Sequence, residues 1–211
     1  MDFSMSSRVR ENVYEPDGTV LITDMIPLTL PIIINLDDSY LLVDSLQMDL
    51  ALISRLKPFL CAEIGCGSGF VICHLAKLFG GSDDPSNNPI LPIATDINRF
   101  AIECTREMSV RNGVDLPVLV KTRFLTGFRT NLLFDLIVFN PPYVESEEAE
   151  VTESHNDSIV KSYAGGCKGR MVIDEFLAIF PVSLDREYGI NAHNFHLNME
   201  LTHTLFICRS I

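Results

Sequence analysis

The sequence predicts an α/β fold in which a Rossmann-like, doubly wound and mostly parallel sheet is covered by helices on both faces. The first observation is that short apolar runs alternate with segments of helical periodicity from Leu60 onward. The second is that glycine-rich or polar motifs directly follow the apolar runs. The third is size: 211 residues, 47% hydrophobic and 21% charged, are enough for one domain with a substantial core.

Four short apolar runs are predicted to be the strands of this sheet. Each is followed by glycine, proline or polar residues, as is typical of buried parallel strands. A long loop, GGSDDPSNNPILP, leads into the second run. The runs cover residues 60–64, 90–95, 116–121 and 133–139.

Two helices are predicted between the first three strands. Residues 70–79 form the first, because Val71, Leu75 and Leu78 recur on one face at helical spacing. Residues 98–112 form the second, which is predicted to end at a Gly113 C-cap. The side chains of this second helix that we expect to face inward are Ala101, Cys104, Met108 and Val110.

Three polar features lie where predicted strands end: a glycine turn beginning at Gly65, the carboxylate of Asp96, and a motif beginning at Asn140. Each has an ordinary explanation of its own, since glycine and proline both end strands. Ligands of parallel sheets bind at this edge, near the switch in strand order. Because three ordinary explanations would have to coincide, a functional site is the better interpretation.

The glycine turn reads Glu63-x-Gly65-x-Gly67-x-Gly69, which is not the G-x-G-x-x-G of dinucleotide enzymes. Glycines here let the backbone approach a ligand closely. No Walker lysine follows, which disfavours a nucleoside triphosphate. Asp96, at the end of the next strand, can accept hydrogen bonds from both ribose hydroxyls, and its charge repels a 2′-phosphate. The spacing resembles that of class I S-adenosylmethionine-dependent methyltransferases.

The last predicted strand runs into Asn140-Pro141-Pro142-Tyr143, whose prolines hold the backbone extended. An amide or aromatic amine nitrogen is a poor nucleophile, because its lone pair is delocalised. The Asn140 side-chain oxygen and the Pro141 carbonyl can hold both hydrogens of such an NH₂ group facing a sulfonium methyl, and can stabilise the charge that develops on nitrogen. Tyr143 can stack on the planar group, so no strong general base is needed.

Formal net charge is −12, and acidic side chains are concentrated directly after Tyr143. Duplex DNA binding draws most of its affinity from cationic side chains that meet phosphates, so this segment makes duplex DNA an unfavourable partner. A basic peptide or protein is compatible with it, although a solvated loop explains each single residue equally well. The residues concerned are Glu145, Glu147, Glu148, Glu150, Glu153 and Asp157.

The six cysteines are scattered without a C-x-x-C pair, which indicates reduced thiols and no metal site of the protein's own. The most apolar early segment, residues 20–35, contains Asp24, Pro27 and Pro31, and is too short and interrupted to span a bilayer. The N-terminal residues are polar and do not read as a secretory signal. We therefore expect no membrane association and a cytoplasmic location, with the nucleus as an alternative.

Further motifs accompany the glycine turn and Asn-Pro-Pro-Tyr. They lie at residues 13–16, 38–42, 95–98, 163–170 and 174–176. Together these motifs resemble the HemK-type glutamine methyltransferases that modify peptide-chain release factors, in their eukaryotic and archaeal branch. The eukaryotic member also carries the name N6-adenine-specific DNA methyltransferase. Asn-Pro-Pro-Tyr alone is shared by amide, DNA-adenine and RNA-guanine methyltransferases. The Ala-Gly-Gly-x-x-Gly-Arg segment is much more specific and points to this branch.

The resemblance implies a role for each matching residue. Ser39 would contact S-adenosylmethionine near its methionine end, and Asp96 would bind its ribose hydroxyls. The other cofactor contacts would be Glu63, Gly65, Gly67, Gly69, Phe124 and Asn140. The catalytic motif that holds the substrate amide would be Asn140, Pro141, Pro142 and Tyr143, followed by Val144 as a further substrate contact.

The resemblance also implies two protein partners. One is a release factor as substrate. The other is a small zinc-binding activator subunit, shared with several RNA methyltransferases, which covers an apolar edge of the sheet. Residues 116–120 are the candidate edge, and an ordinary buried strand is the alternative interpretation of the same run.

Three departures from the family pattern bear on activity. Residues 17–36 intervene between the Tyr-Glu-Pro motif and the first family helix. Arg123 stands where an acidic residue normally reads the adenine amino group, and a guanidinium has only donors; Arg123→Asp is therefore expected to tighten cofactor binding. After Leu184 the tail does not match, and alternation over residues 195–201 predicts no more than one strand, so we expect the sheet to be incomplete at its C-terminal end.

These observations divide the chain into an N-terminal segment with an atypical insert (1–37), a methyltransferase domain (38–184) and a divergent tail (185–211). An active glutamine methyltransferase is one interpretation. Methylation of another amine, a lysine side chain or N6 of adenine, is the second. The third is an inactive variant that only binds the cofactor or the activator subunit.

Overall fold

The computed structural model describes residues 12–14, 20–22, 36–80, 89–128, 134–156, 158–179 and 205–208. Within these ranges the strands are β1 (Asn12–Tyr14), β2 (Val20–Ile22), β3 (Leu60–Ile64), β4 (Leu91–Asp96), β5 (Val118–Lys121), β6 (Leu136–Phe139), β7 (Val144–Glu145), β8 (Ala164–Gly166) and β9 (Leu205–Cys208). The helices are α1 (Leu36–Met48), α2 (Leu50–Leu56), α3 (Phe70–Gly80), α4 (Arg99–Arg111), α5 (Glu148–Thr152), α6 (Val160–Tyr163) and α7 (Met171–Ile179).

Five strands form the central sheet, in the order β5-β4-β3-β6-β9. β3 pairs in parallel with β4 and with β6, and β4 pairs in parallel with β5. β9 runs antiparallel to β6 at the opposite edge. The chain therefore builds outward from β3 through β4 and β5 and then returns to the other side of β3, which creates a switch point between β3 and β6. This topology confirms the predicted doubly wound, mostly parallel sheet of class I methyltransferase type.

The predicted strand over residues 60–64 has the observed bounds of β3, and the predicted strand over 90–95 is displaced by one residue. The third strand begins at Val118, two residues later than predicted, because Pro117 offers no backbone donor to the ladder. The fourth begins at Leu136, and residues 129–133 lie outside the described part. The strand ends, which position the site, agree more closely than the strand starts.

Helix α4 has a cap that the sequence located to within one residue. The Asn98 side chain accepts a hydrogen bond from the backbone N–H of Phe100 at 2.9 Å, so Asn98 caps the helix instead of beginning it. The C-cap is Asn112 and not the predicted Gly113. The inward orientation predicted for Val110 is wrong: Val110 is 71% exposed, because at 3.6 residues per turn it lies on the opposite face from Ala101.

Apolar clusters cover both faces of the central sheet, as a doubly wound fold requires. One cluster joins β3 and β6 to helices α1 and α3, with Leu42, Phe70 and Ile72 each 1% exposed or less. The other joins the strand ends to α7, and the rings of Phe124, Phe139 and Phe176 contact one another there, with centroids 5.2–5.9 Å apart. The second cluster lies directly beneath the predicted substrate motif.

The two atypical segments are described only in part. Within the insert, β2 pairs antiparallel with β1, so residues 20–22 are joined to the strand that contains Tyr14. In the tail, β9 supplies one strand, whereas the alternating residues 195–201 lie outside the described residues. The described helices include none whose length and apolar character would let it cross a membrane.

Candidate functional site

A cavity of about 550 Å³ opens at the carboxyl ends of β3, β4 and β6, beside the first turns of α1 and α3. It brings together eleven of the twelve residues that the sequence marked for cofactor or substrate: Ser39, Glu63, Gly65, Gly67, Asp96, Phe124, Asn140, Pro141, Pro142, Tyr143 and Val144. Arg123, at the position where the resemblance implies an acidic residue, also lines it. Gly69 is the residue of the twelve that does not.

The glycine turn is shaped by left-handed backbone conformations. Gly65 and Gly67 have φ of 68° and 49°, and the backbone N–H groups of Gly65 and Cys66 both donate to the Thr95 carbonyl, at 2.8 and 3.0 Å. Gly69, with φ of 82°, has no room for a side chain, because a Cβ there would lie 2.6 Å from the Cα of Thr105. Gly69 thus permits close packing of the turn against α4.

Glu63 is buried at the end of β3 and faces the N-terminus of α3. Its Oε2 accepts a hydrogen bond from the backbone N–H of Ile72 at 2.9 Å. Burial raises the pKa of Glu63 well above its usual value, the N–H of Ile72 opposes this, and the nearby Asp96 carboxylate adds to the increase. The carboxyl group therefore orients the helix that follows the glycine turn while forming part of the cavity wall.

Asp96 ends β4 with its carboxylate held by backbone donors. Gly67 N–H donates to Oδ2 at 3.1 Å and Asn98 N–H donates to Oδ1 at 2.8 Å. Burial raises the pKa of Asp96 to about 6, against the lowering effect of these hydrogen bonds. Each carboxylate oxygen has a second lone pair, so a fixed Asp96 can also accept hydrogen bonds from a pair of hydroxyl groups.

Asn140 lies directly after β6, and its Oδ1 is buried with no hydrogen-bond partner among the described residues. A buried acceptor without a partner costs about 1–3 kcal/mol. Protein structures leave few such groups, and each one needs an explanation. Because Asn140 lines the cavity, the explanation that fits best is a ligand group that donates a hydrogen bond.

Tyr143 is tied to helix α1 through its hydroxyl, which donates a hydrogen bond to Oδ2 of Asp38. This hydrogen bond, together with burial and the charge of Asp38, raises the pKa of Tyr143 to about 12. Sequence reasoning did not predict Asp38 as a site residue. The signal available was its place in the Asp-Ser-Tyr-Leu-Leu motif, beside the predicted cofactor contact Ser39.

The Ala-Gly-Gly-x-x-Gly-Arg segment packs against the backbone of the substrate motif. A Cβ on Gly169 would lie 2.0 Å from the Tyr143 carbonyl oxygen, and a Cβ on Gly165 would lie 2.7 Å from the Gly169 carbonyl oxygen. β8, within this segment, pairs in parallel with β7, which begins at Val144. The glycines of this segment therefore have a physical role, since they allow it to pack against the backbone at the end of Asn-Pro-Pro-Tyr.

Arg123 does not present an unpaired guanidinium to the cavity. Its Nε donates to Oε1 of Glu175 on α7 at 2.7 Å, its Nη2 donates to Oε2, and its guanidinium carbon lies 4.8 Å from the centre of the Phe124 ring. The sequence-based expectation treated Arg123 alone. The structure shows that Arg123 and Glu175 have to be considered as a pair.

Within the described ranges, no three His, Cys, Asp or Glu side chains are grouped so that they could hold a metal ion. Cys61, Cys66, Cys73, Cys104 and Cys167 are free thiols. Cys66 lines the cavity, and burial raises the pKa of its thiol well above the usual value.

The family model described as "Methyltransferase small domain" matches residues 37–189. The chain therefore belongs to the methyltransferase small domain family, and this membership identifies S-adenosylmethionine as the cofactor. The residues present fit that molecule: Asp96 offers a fixed acceptor pair for ribose hydroxyls, and the glycine turn allows close approach of a ligand.

Individual relatives of the chain carry more specific names than the family model. The chain is 36% identical over 147 residues to Methyltransferase HEMK2 of Homo sapiens, covering 69% of this chain and 63% of the relative. It is 33% identical over 150 residues to the eRF1 methyltransferase catalytic subunit mtq2 of Schizosaccharomyces pombe, covering 67% and 62%. A ribosomal RNA small subunit methyltransferase C of Serratia proteamaculans is 30% identical over 132 residues, covering 60% and 34%. The chain spans less than two thirds of the length of these relatives.

Proposed function

We propose that this protein is an S-adenosylmethionine-dependent methyltransferase that modifies the side-chain amide of glutamine in the Gly-Gly-Gln motif of a peptide-chain release factor. The observation that carries the proposal is the buried Oδ1 of Asn140, which has no partner among the described residues and borders the same cavity as Asp96 and the glycine turn. An NH₂ group of a substrate amide is a donor that suits such an acceptor.

The chain's own residues account for the chemistry through positioning. When bound, the cofactor supplies a methyl group on a sulfonium centre. Asn140 Oδ1 and the Pro141 carbonyl accept the two N–H groups of the amide and stabilise the positive charge that develops on nitrogen. Tyr143 stacks on the planar amide. The methylated nitrogen is strongly acidic and releases its proton to water, so no group of raised basicity is required.

The substrate class is supported by relatives and by charge. One relative is named as a methyltransferase of eRF1. The exposed carboxylates of Glu145, Glu147 and Glu148 follow the Asn-Pro-Pro-Tyr motif and favour a basic protein surface over the phosphates of duplex DNA. Because a release factor acts in translation, we place the activity in the cytoplasm.

An activator subunit is a further part of the proposal. β5 is at one edge of the central sheet, and Leu116 and Val118 at that edge are 53% and 43% exposed. An exposed apolar edge strand is suited to pairing with another chain. We therefore place the zinc-binding activator subunit implied by the family resemblance against β5.

The function is tested by comparing substrates. The chain, with the activator subunit and S-adenosylmethionine, is incubated at physiological salt with a release-factor domain bearing Gly-Gly-Gln, with its Gln→Glu variant, and with single- and double-stranded DNA. We expect methylation of the Gly-Gly-Gln domain alone, read by mass spectrometry.

Faster methylation of DNA adenine would overturn the substrate assignment, and the ribosomal RNA methyltransferase relative makes RNA a useful third substrate. Absence of all transfer, with activity gained in a variant that lacks residues 17–36 and carries a family-like closing tail, would identify this chain as an inactive variant.

Replacement of Asp96 by alanine is expected to weaken S-adenosylmethionine binding by about 1–3 kcal/mol, through loss of charge-assisted hydrogen bonds to the ribose. The pKa of Asp96 is raised to about 6, so the carboxylate is charged above that pH and becomes protonated below it. Cofactor affinity of the wild type should therefore fall as the pH decreases from 7 to 5, and the affinity of Asp96→Asn should be nearly independent of pH. Equal affinity of Asp96→Ala and wild type in calorimetry would refute this role.

Because Arg123 pairs with Glu175, the expected contact between residue 123 and the adenine base of the cofactor has to be tested with a double variant. Arg123→Asp alone would leave two carboxylates beside each other, whereas Arg123→Asp combined with Glu175→Gln restores an acceptor without that repulsion. The double variant is expected to bind S-adenosylmethionine about 1–2 kcal/mol more tightly than Glu175→Gln, its control. Unchanged or weaker binding would show that Arg123 does not occupy the adenine-reading position.

A further inference from the structure

Asp38 connects two parts of the cavity that the proposed function treats separately. Its carboxylate accepts a hydrogen bond from the Tyr143 hydroxyl, 105 positions away in the chain. Asp38 lies on α1 next to Ser39, and both residues line the cavity. Tyr143 belongs to the motif that holds the substrate amide. The hydrogen bond therefore joins α1, which carries the expected cofactor contact Ser39, to the ring that is proposed to stack on the substrate.

The Tyr143 ring is held at both of its ends. Its own backbone carbonyl lies against Gly169, where even a Cβ would come within 2.0 Å. Its hydroxyl is held by Asp38. A ring held at the backbone and at the hydroxyl has a fixed long axis, so it cannot swing away from the place where a planar substrate amide would stack.

Helix α1 is anchored firmly enough to serve as the fixed partner. The side chains of Leu42, Val43 and Leu46 are each 1% exposed. The Tyr40 ring also packs edge-on against Phe70 of α3, with centroids 5.1 Å apart. Because α1 is held by the core, Asp38 offers the Tyr143 hydroxyl an acceptor in a fixed place.

We propose that Asp38 is a positioning residue for methyl transfer, which acts through the Tyr143 hydroxyl to hold the ring in place against the substrate amide. This inference rests on the proposed function. The competing role for a carboxylate at this place is electrostatic attraction of the positively charged cofactor. The two roles differ in what they require: positioning requires an acceptor at residue 38, whereas attraction requires a charge.

The test uses Asp38→Ala, Asp38→Asn, Tyr143→Phe and the double variant Asp38→Ala/Tyr143→Phe in the full chain. Asp38→Ala and Tyr143→Phe should each lower kcat with the Gly-Gly-Gln domain about 10- to 100-fold, the effect of losing a hydrogen bond to a charged group. The loss in the double variant should be smaller than the two single losses combined, because both single variants remove the same shared hydrogen bond. Asp38→Asn, which keeps an acceptor, should recover most of the activity that Asp38→Ala loses, and all four variants should bind S-adenosylmethionine like the wild type.

Two results would overturn the proposal: additive losses in the double variant, or cofactor binding weakened equally in Asp38→Asn and Asp38→Ala. The second result would identify the charge itself as the function of Asp38.

A readout independent of methyl transfer separates this proposal from the proposed function. The protein is labelled with 3-fluorotyrosine, and the signal of Tyr143 among five tyrosines is assigned from the Tyr143→Phe variant. In the wild type, the phenol of Tyr143, followed by its ¹⁹F signal, should ionise at a higher pH than free 3-fluorotyrosine. In Asp38→Ala it should ionise at a lower pH than in the wild type. Identical titrations in wild type and Asp38→Ala would overturn the contact. If the shift is present but no protein or nucleic-acid amide or amine is methylated, the contact stands, and the proposed function fails together with the role of Asp38 in it.

Discussion

Asn140→Ala is expected to reduce methyl transfer to a Gly-Gly-Gln protein by about 10²–10³-fold, because it removes the acceptor that orients the amide and stabilises its developing charge. Affinity for S-adenosylmethionine should remain largely intact. The reason is that the cofactor rests mainly on the ends of β3 and β4, where Asp96 and the glycine turn lie, whereas the buried Oδ1 of Asn140 has no partner among the described residues. Single-turnover methylation and calorimetry on the same preparation separate the two effects.

Asn140→Asp is the matched control for this prediction, since a carboxylate still accepts the hydrogen bond while altering the local charge. Its loss of activity should be smaller than that of Asn140→Ala. If Asn140→Ala weakens cofactor binding as strongly as it reduces transfer, Asn140 belongs to the cofactor site and the proposed substrate contact is wrong.

Gly169→Ala is expected to have the second-largest effect on activity. The added Cβ would lie 2.0 Å from the Tyr143 carbonyl oxygen, so the substrate motif has to move. A displacement of about 1 Å in a positioning group can reduce the rate about 100-fold. Cofactor affinity should change little, because Gly169 does not line the cavity described here.

Gly113→Ala distinguishes this contact from ordinary backbone strain. Gly113 has φ of 61° and Gly169 has φ of 67°, so both substitutions force alanine into the left-handed region, at about 1–2 kcal/mol. A Cβ on Gly113, however, meets nothing within 4 Å. Both variants should lose stability in urea unfolding, and Gly169→Ala alone should lose activity beyond the folded fraction. Equal activity of the two folded variants would mean that the glycine segment does not position Tyr143.

The sheet and its functional edge could be predicted because their signals are local. β3 is a continuous apolar run, and the glycines and prolines that follow strands have conformational restrictions that any sequence shows. Asp96 and Asn140 were located by the same reasoning, because parallel strands bring their carboxyl ends to one edge. The misplaced Val110 was also a local error, since one position on a helix changes the face by 100°.

The contacts that refine the site could not be predicted from local pattern. Asp38 meets Tyr143 across 105 positions, and Arg123 meets Glu175 across 52. A carboxylate on an amphipathic helix is ordinarily a solvated side chain, and nothing in its neighbours indicates which distant group it will bind. Gly169 was informative as part of a family motif, but its contact with the Tyr143 carbonyl depends on how β8 pairs with β7.

The measurement that tests the central claim most directly is a calorimetric titration of the full chain with S-adenosylmethionine, with and without the activator subunit, and with NAD as the comparison ligand. The central claim is that the cavity bounded by Asp96, the glycine turn and Asn140 holds this cofactor beside an amide substrate. We predict saturable one-site binding of S-adenosylmethionine and no heat with NAD, because the turn lacks the dinucleotide pattern. Binding of NAD, or no binding of S-adenosylmethionine under either condition, would contradict the claim.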